Sequence, residues 1–229
     1  MDGNNRWARA RGLPGREGHA AGERALRDLV EHAGRRGVEA LTVFAFSSEN
    51  WRRPPDEVNA LMALFVGALQ KRVAELHANG IRLRFIGELS AFAPEIRAGI
   101  AEAERLTAGN GTLHLSVAVN YGGQWDLARA ARALALDVQR GLIAADSIDE
   151  HAVAQRLCLA GLPPPDLLIR TGGELRISNF MLWQTAYSEF YFCDVLWPDF
   201  GADAFDAALA DYASRQRRFG RSGAELGQD

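Results

Sequence analysis

Apolar and polar positions fall into blocks along this chain, and the blocks change period. Val38 to Phe46 is almost continuously apolar, which predicts a central parallel strand buried on both faces. Ile81 to Ile86 alternates, so one face of that strand is polar. Leu113 to Val119 alternates into a continuous run, Leu167 to Ile169 is a short apolar run, and Phe190 to Leu196 is a last strand. Between these runs the period becomes helical. Gly18 to Arg36 puts Ala25, Leu26, Leu29, Val30 and Ala33 on one face. Asp56 to Asn79 carries a stripe of Val58, Leu61, Met62, Phe65, Leu69, Val73 and Leu76, and Leu64 and Val66 widen it. Such a stripe suits core packing or the wall of an apolar tunnel. Further helices are predicted over Pro94 to Thr107, Gln124 to Arg140, Phe180 to Ala186 and Asp203 to Arg218. A short helix is predicted after Ser147, which has capping-box spacing to Glu150. Strands alternating with helices predict one α/β domain over residues 1–220, with a mainly parallel central sheet flanked by helices. A polar tail follows over 221–229.

Polar residues gather where the strands stop, the place at which open α/β sheets bind ligands. The first long strand runs into Ser47-Ser48-Glu49-Asn50-Trp51-Arg52-Arg53, and the third into Asn120-Tyr121-Gly122-Gly123. The densest cluster is Arg170-Thr-Gly-Gly-Glu-Leu-Arg176-Ile-Ser178-Asn-Phe180. Arginine offers a planar fork of donors matched to phosphate oxygens. Gly172 and Gly173 let backbone N–H groups approach an anion. The opening Met1-Asp2-Gly3-Asn4-Asn5-Arg6-Trp7 brings an acid, a glycine, two amides and an arginine together. His19, beside Gly18 and Gly22, either touches an anion or caps its helix. Glu189 is a carboxylate in apolar surroundings.

The 229 residues carry a net charge of −3, which gives no sign of bulk nucleic-acid binding. Cys158 and Cys193 sit in apolar runs and read as buried thiols of a reducing compartment, so a cytoplasmic protein is expected. No apolar run reaches membrane-spanning length. A P-loop lysine motif, a G-x-G-x-x-G turn and paired D-D-x-x-D aspartates are all absent. An anion site combined with unusually apolar helices suits a lipid diphosphate. Magnesium suits such a ligand, because it takes one or two carboxylates and fills its octahedron with phosphate oxygens and water. Asp2 and Glu189 are the candidate acids.

Five segments in order then resemble the cis-prenyltransferases, most closely the bacterial undecaprenyl diphosphate synthases. They are Met1-Asp-Gly-Asn, Gly18-His19-x-x-Gly22, Phe46-Ser-Ser-Glu-Asn-Trp51 with Arg53-Pro54, Asn120-Tyr-Gly-Gly123, and Arg170 to Phe180 with Glu189 downstream. The resemblance implies condensation of isopentenyl diphosphate onto an allylic diphosphate, farnesyl diphosphate being expected. The new double bonds are cis, and the product is a polyprenyl diphosphate precursor of the cell-wall lipid carrier. It implies Asp2 as the magnesium-binding aspartate that assists diphosphate departure. Gly3, Asn4, Asn5, Arg6, Trp7 and His19 would then hold the allylic diphosphate. Arg170, Arg176 and Ser178 match the isopentenyl diphosphate pocket. Asn50 and Arg53 match groups near the departing proton, with Ser47 and Trp51 lining the same region. Glu189 matches a second magnesium-associated acid near a homodimer interface. Arg218 and Gly220 match a terminal motif that reaches the neighbouring subunit. Ala45, Leu61, Leu64 and Leu113 match tunnel-lining positions. Peripheral membrane contact through the lipid product is also implied.

The chain departs from the family pattern at a few places. The family's first strand would precede Met1 and is missing from this sequence. Gly15 stands where arginine is frequent, Asn5 where glycine is common, and Leu175 where some relatives have histidine. A non-catalytic lipid-diphosphate-binding subunit of the same fold, and a nucleotide-binding α/β domain, are the rival readings. Retention of Asn50, Arg53, Arg170, Arg176, Ser178 and Glu189 favours the enzyme.

Overall fold

The computed structural model describes residues 1–52 and 54–215, apart from the side chains at 55, 56, 59, 60, 63, 64 and 68–70. Arg53, Arg218, Gly220 and the tail over 221–229 lie outside the described residues, and Leu64 is described by its backbone alone. The elements in chain order are α1 (Asn4–Ala10), α2 (Gly15–Arg35), β1 (Ala40–Ser47), α3 (Pro55–Ala78), β2 (Ile81–Ile86), α4 (Pro94–Thr107), β3 (Leu113–Tyr121), α5 (Gly123–Gln139), α6 (Glu150–Ala154), β4 (Leu167–Arg170), β5 (Glu189–Phe192) and α7 (Ala202–Ser214).

Every strand pairing among these elements is parallel. One sheet has the order β1-β3-β2, and β4 pairs with β5 in a second. The middle strand is β3, the most continuously buried of the five, rather than the Val38–Phe46 run. β1 is paired on one edge by β3, and its other edge faces a cavity of about 960 Å³. Across that cavity stands β4. Consecutive residues of each wall, Val38 to Ala45 and Pro163 to Thr171, line it. Side chains alternate across a strand, so an unbroken run of lining residues means that strand edges form these walls.

The main core lies on one face of β1-β3-β2. Leu113, Leu115, Val117 and Val119 point there, against Phe65 and Val73 of α3 and Ile100 and Ala103 of α4. Burying each large aliphatic side chain is worth about 2 kcal/mol, so this cluster dominates the packing. A second cluster joins Leu29 and Ala33 of α2 to Trp197, Phe200 and Phe205. A third, with Ala118, Tyr121 and Met181, covers the other face.

Three local expectations change. Residues 4–10 are helical, where only a polar turn was expected. The cap of α6 is Asp149, which accepts from Ala152 N at 2.7 Å, while Ser147 bonds back to Ala144 O. Residues 180–186 form turns rather than a helix. Ser178, Asn179 and Met181 have φ of 47°, 61° and 49°, which no right-handed helix accommodates.

Asp126, in the first turn of α5 and 1% exposed, organises a buried polar network. It accepts from Arg129 and Cys158 N, each at 3.1 Å, and from the Tyr121 hydroxyl at 3.3 Å. Asp126→Ala strands these donors and should destabilise the fold by about 3 kcal/mol in chemical denaturation, Asp126→Asn by less. Burial, then the Asp126 charge, pushes the Cys158 thiol from 9.0 up to about 12. The unfolded chain therefore loses its proton first, and stability contributed by this thiol falls as pH climbs from 9.0 towards 12. At pH 8, alkylation of Cys158 in the native protein should be roughly 100-fold or more slower than in the unfolded chain, as peptide mass mapping would show.

Candidate active site

The site forms where the chain's first residues meet the exit of β4. Asp2 N donates to Thr171 Oγ1 at 3.0 Å, and Thr171 Oγ1 donates to Asp2 O at 3.0 Å. Trp197 N also donates to Asp2 O, at 2.9 Å. These three bonds fix the Asp2 backbone, while its carboxylate stays partly exposed. Arg170 Nη2 donates to Asp2 Oδ2 at 3.1 Å, and Arg6 Nη2 lies 3.6 Å from Oδ1. Gly3, at φ 111°, turns the chain into α1. Gly18 of α2 has no room for a Cβ against Asn4 O, so the start of α1 presses directly on α2.

Two cavities meet at Asp2. The smaller, about 110 Å³, is lined by Met1, Asp2, Gly3, Asn4, Asn5, Arg6 and His19. Backbone amides of a helix start, an arginine and a histidine make this an anion cradle in chemical character. The larger cavity has Asp2, Ser47, Asn50, Arg170, Ser178 and Asn179 among its polar lining, with Leu41, Phe44, Ala45, Leu61 and Phe180 among the apolar lining. Met1, Asp2, Asn4 and His19 belong to both. Polar groups therefore cluster on strand-end segments, with an oily volume between the two sheet edges.

Arg170 Nη1 donates to Ser178 Oγ at 2.8 Å and to the Arg176 carbonyl. The Arg176 guanidinium instead turns back onto Glu174 and is not among the residues lining either cavity. Asn50 Oδ1 accepts from Ser47 N at 3.0 Å, closing the loop after β1. Trp51 donates to Asn120 Oδ1 at 2.8 Å and packs edge-on against Phe46. Trp7 points elsewhere: its indole donates to Asp199 at 2.7 Å and lies under Arg11.

Three residues that the sequence reading gave no site role hold the site together. Thr171 pins Asp2. Asn179 donates to Glu49 Oε1 at 2.9 Å, accepts from Gln124 N at 2.9 Å, and offers its carbonyl to Gly123 N at 2.7 Å. It thereby ties together the loops after β1, β3 and β4. Burial alone would raise the Glu49 carboxyl, but hydrogen bonds from Asn179, its own backbone, Ser47 and Ser48 hold it below the ordinary range. Glu57 accepts from Asn5 Nδ2 at 3.0 Å. A polar residue inside a glycine-rich turn was the available signal for Thr171 and Asn179. Glu57 has only its place in a helix's first turn.

Two of the sequence-predicted residues, Leu113 and Glu189, lie apart from Asp2 within the chain. Leu113 is fully buried in the main core and lines neither cavity, because Leu113, Leu115, Val117 and Val119 of β3 pack with α3 and α4. Glu189 pairs with Leu167, at the far end of β4 from Arg170, and is bound to Arg215 at 2.8 Å. At ~3.3 Å per residue it lies roughly 10 Å down the strands from the level of Arg170. Glu189 and Asp2 of one chain therefore do not share one ion. Among the described residues no group of three or more His, Cys, Asp or Glu gathers as a metal cluster. Asp2, a partly exposed carboxylate beside an anion cradle, fits an ion that brings phosphate oxygens and water as its other ligands.

Asp2, flanked by the Arg170 and Arg6 guanidiniums, thus stands where the two cavities meet. A family model for undecaprenyl diphosphate synthases matches residues 1–220, and the chain belongs to that family of cis-prenyltransferases. A ditrans,polycis-undecaprenyl-diphosphate synthase of Pseudomonas aeruginosa, (2E,6E)-farnesyl-diphosphate specific, is 56% identical over 226 residues, covering 99% of this chain and 90% of the relative. An isoprenyl transferase of Nitrosomonas europaea is 52% identical, over 99% of this chain and 85% of the relative. A crystal structure of lavandulyl diphosphate synthase from Lavandula x intermedia, in complex with dimethylallyl diphosphate, superposes with a TM-score of 0.93 at 39% identity. It covers 96% of this chain and 95% of that one.

Gly172 holds the loop after β4 against the anion cradle. Its φ is +87°, and a Cβ there would lie 2.5 Å from Arg6 Nη2 and 3.2 Å from Asp2 O. Gly141 also has positive φ, at +69°, but its Cβ would meet nothing. Gly141→Ala should cost about 1 kcal/mol in denaturation, the backbone strain alone. Gly172→Ala should cost more and also weaken diphosphate binding, measured calorimetrically.

Proposed function

We propose that this chain condenses isopentenyl diphosphate onto farnesyl diphosphate, with repeated cis additions giving a long polyprenyl diphosphate of undecaprenyl type. The observation that carries this reading is the Asp2–Arg170 ion pair standing between an anion cradle and a polar-headed apolar cavity. The allylic diphosphate sits against the amides of Gly3 to Arg6, the Arg6 guanidinium and His19. Arg170 and Ser178 hold the isopentenyl diphosphate, with Arg176 joining them on leaving Glu174. Ser47, the last residue of β1, and Asn50, in the segment after it, face the condensing carbons, and Arg53 follows them in the sequence.

Ionisation of the allylic carbon–oxygen bond concentrates negative charge on the departing diphosphate. Fixed N–H donors and guanidiniums oriented at that charge are usually the largest catalytic contribution. Magnesium held by Asp2 would add further neutralisation of the same charge. The apolar walls exclude water, which would otherwise capture the carbocation. They also receive the lengthening tail, at about 0.8 kcal/mol for each methylene buried.

The assembly is a homodimer in this reading. Glu189 and its neighbours Tyr187 and Phe190 lie on β5 or just before it, and Tyr187 is 75% exposed. A second copy docking there would cover this apolar edge and bring Glu189 towards the other chain's site. No described helix is long and apolar enough to cross a membrane. The reading places the enzyme in the cytoplasm, with the membrane met through its product.

Purified protein given labelled isopentenyl diphosphate, farnesyl diphosphate and magnesium should move label into extractable lipid, sized by chromatography. Absence of magnesium-dependent lipid label would sink the reading. Arg170→Ala should raise KM for isopentenyl diphosphate by about tenfold or more, because it removes charge-assisted hydrogen bonds. KM for farnesyl diphosphate should change much less, and equal rises would contradict the division into two pockets.

A further inference from the structure

One carboxylate of α3 stands behind the smaller cavity, bonded to a residue of its lining. Glu57 lies in the first turn of α3. Its Oε1 accepts from Asn5 Nδ2 at 3.0 Å and stands 4.0 Å from His19 Nε2. Asn5 and His19 both line that cavity. On its other side, Asn5 Oδ1 rests against Gly15, the first residue of α2. A Cβ built at Gly15 would lie 2.7 Å from that oxygen. The carboxamide is thus clamped between two helices. Two of the positions at which this chain departs from its family pattern, Asn5 and Gly15, are therefore neighbours in space. A larger side chain at 15 and an asparagine at 5 compete for one space.

An ionised carboxylate only accepts hydrogen bonds, so Glu57 also decides which way the Asn5 amide faces. The nitrogen turns to Glu57 and the oxygen to Gly15. One amide hydrogen goes to Glu57, and the second is left over at the wall of an anion cradle. An acid placed beside an anion site repels the ligand unless neighbouring donors take up its charge. Asn5 is such a neighbour, and His19 Nε2 stands 4.0 Å off, beyond hydrogen-bond distance.

We infer that Glu57 is a positioning residue for the allylic diphosphate: it holds the Asn5 carboxamide as an additional neutral donor to that anion, in the space Gly15 leaves open. This rests on the assignment of the smaller cavity to the allylic diphosphate. A plain helix-start role for Glu57 is the competing account, since acids favour helix N-termini wherever they occur.

Calorimetric titration of the full chain with farnesyl diphosphate alone, and separately with isopentenyl diphosphate alone, separates the two accounts without turnover. Glu57→Ala and Asn5→Ala should each weaken farnesyl diphosphate binding by about tenfold, one lost hydrogen bond, with less than about a twofold change for isopentenyl diphosphate. The double variant should be no weaker than the worse single one, because the two residues act as a unit. Glu57→Gln, whose amide oxygen still accepts from Asn5, should recover most of the affinity. Gly15→Ala should behave like Asn5→Ala. If Glu57→Ala and Glu57→Gln lower the melting temperature alike and leave farnesyl diphosphate affinity intact, the inference is wrong and the helix-start account holds. Additive losses, or equal losses for both diphosphates, would also overturn it while leaving the proposed activity standing. Failure of the unmutated protein to bind farnesyl diphosphate would remove the pocket assignment and this inference together.

Discussion

The site depends on one long-range attachment: Asp2 bound to the exit of β4. Thr171 grips its backbone from both sides, and Arg170 grips its carboxylate across 168 positions of sequence. That attachment consists of three backbone hydrogen bonds and one ion pair. With it, the anion cradle of α1 is held at a fixed place relative to the arginine loop. A contact of such separation carries a loop-closure entropy cost, and several bonds together offset it. Trp197 N adds the third, which joins the same point to the α2–α7 cluster.

The elements of the fold are legible in the sequence because burial imposes period. Leu113 to Val119 reads as a strand and is one, and Pro94 to Thr107 reads as a helix and is α4. Rank within the sheet is not legible in the same way. Val38 to Phe46 is as apolar as a central strand, yet one edge of β1 borders a cavity, and side-chain pattern does not tell whether a strand's edge is paired. The turn over residues 180–186 was hidden for another reason. Its composition suits a helix, but Asn179, which bonds to the loops after β1 and β3, has left-handed backbone, as do Ser178 and Met181 beside it. Tertiary bonding overrides local preference there.

Site residues divide along the same line. Arg170, Ser178, Asn50 and Asp2 announce themselves by chemistry at strand ends, and the structure brings all four to one cavity. Leu113 and Glu189 lie apart from those four within one chain, and motif position alone does not show this because it carries no register. A leucine's face follows from which side of β3 it occupies, and the reach of Glu189 follows from its pairing with Leu167. Glu57 was invisible because its meaning lies in the space between Asn5 and Gly15, a relation that no single position expresses.

The salt bridge between Asp2 and Arg170 has one more consequence, for energetics rather than geometry. Each partner is the other's counter-ion, and each faces an anion-binding space. An anion that recruits Arg170 leaves Asp2 less neutralised, and a cation settling on Asp2 frees Arg170. Occupancy of either space therefore changes the free energy of filling the other, and such linkage is necessarily equal in both directions. Two pockets sharing one ion pair cannot be thermodynamically independent.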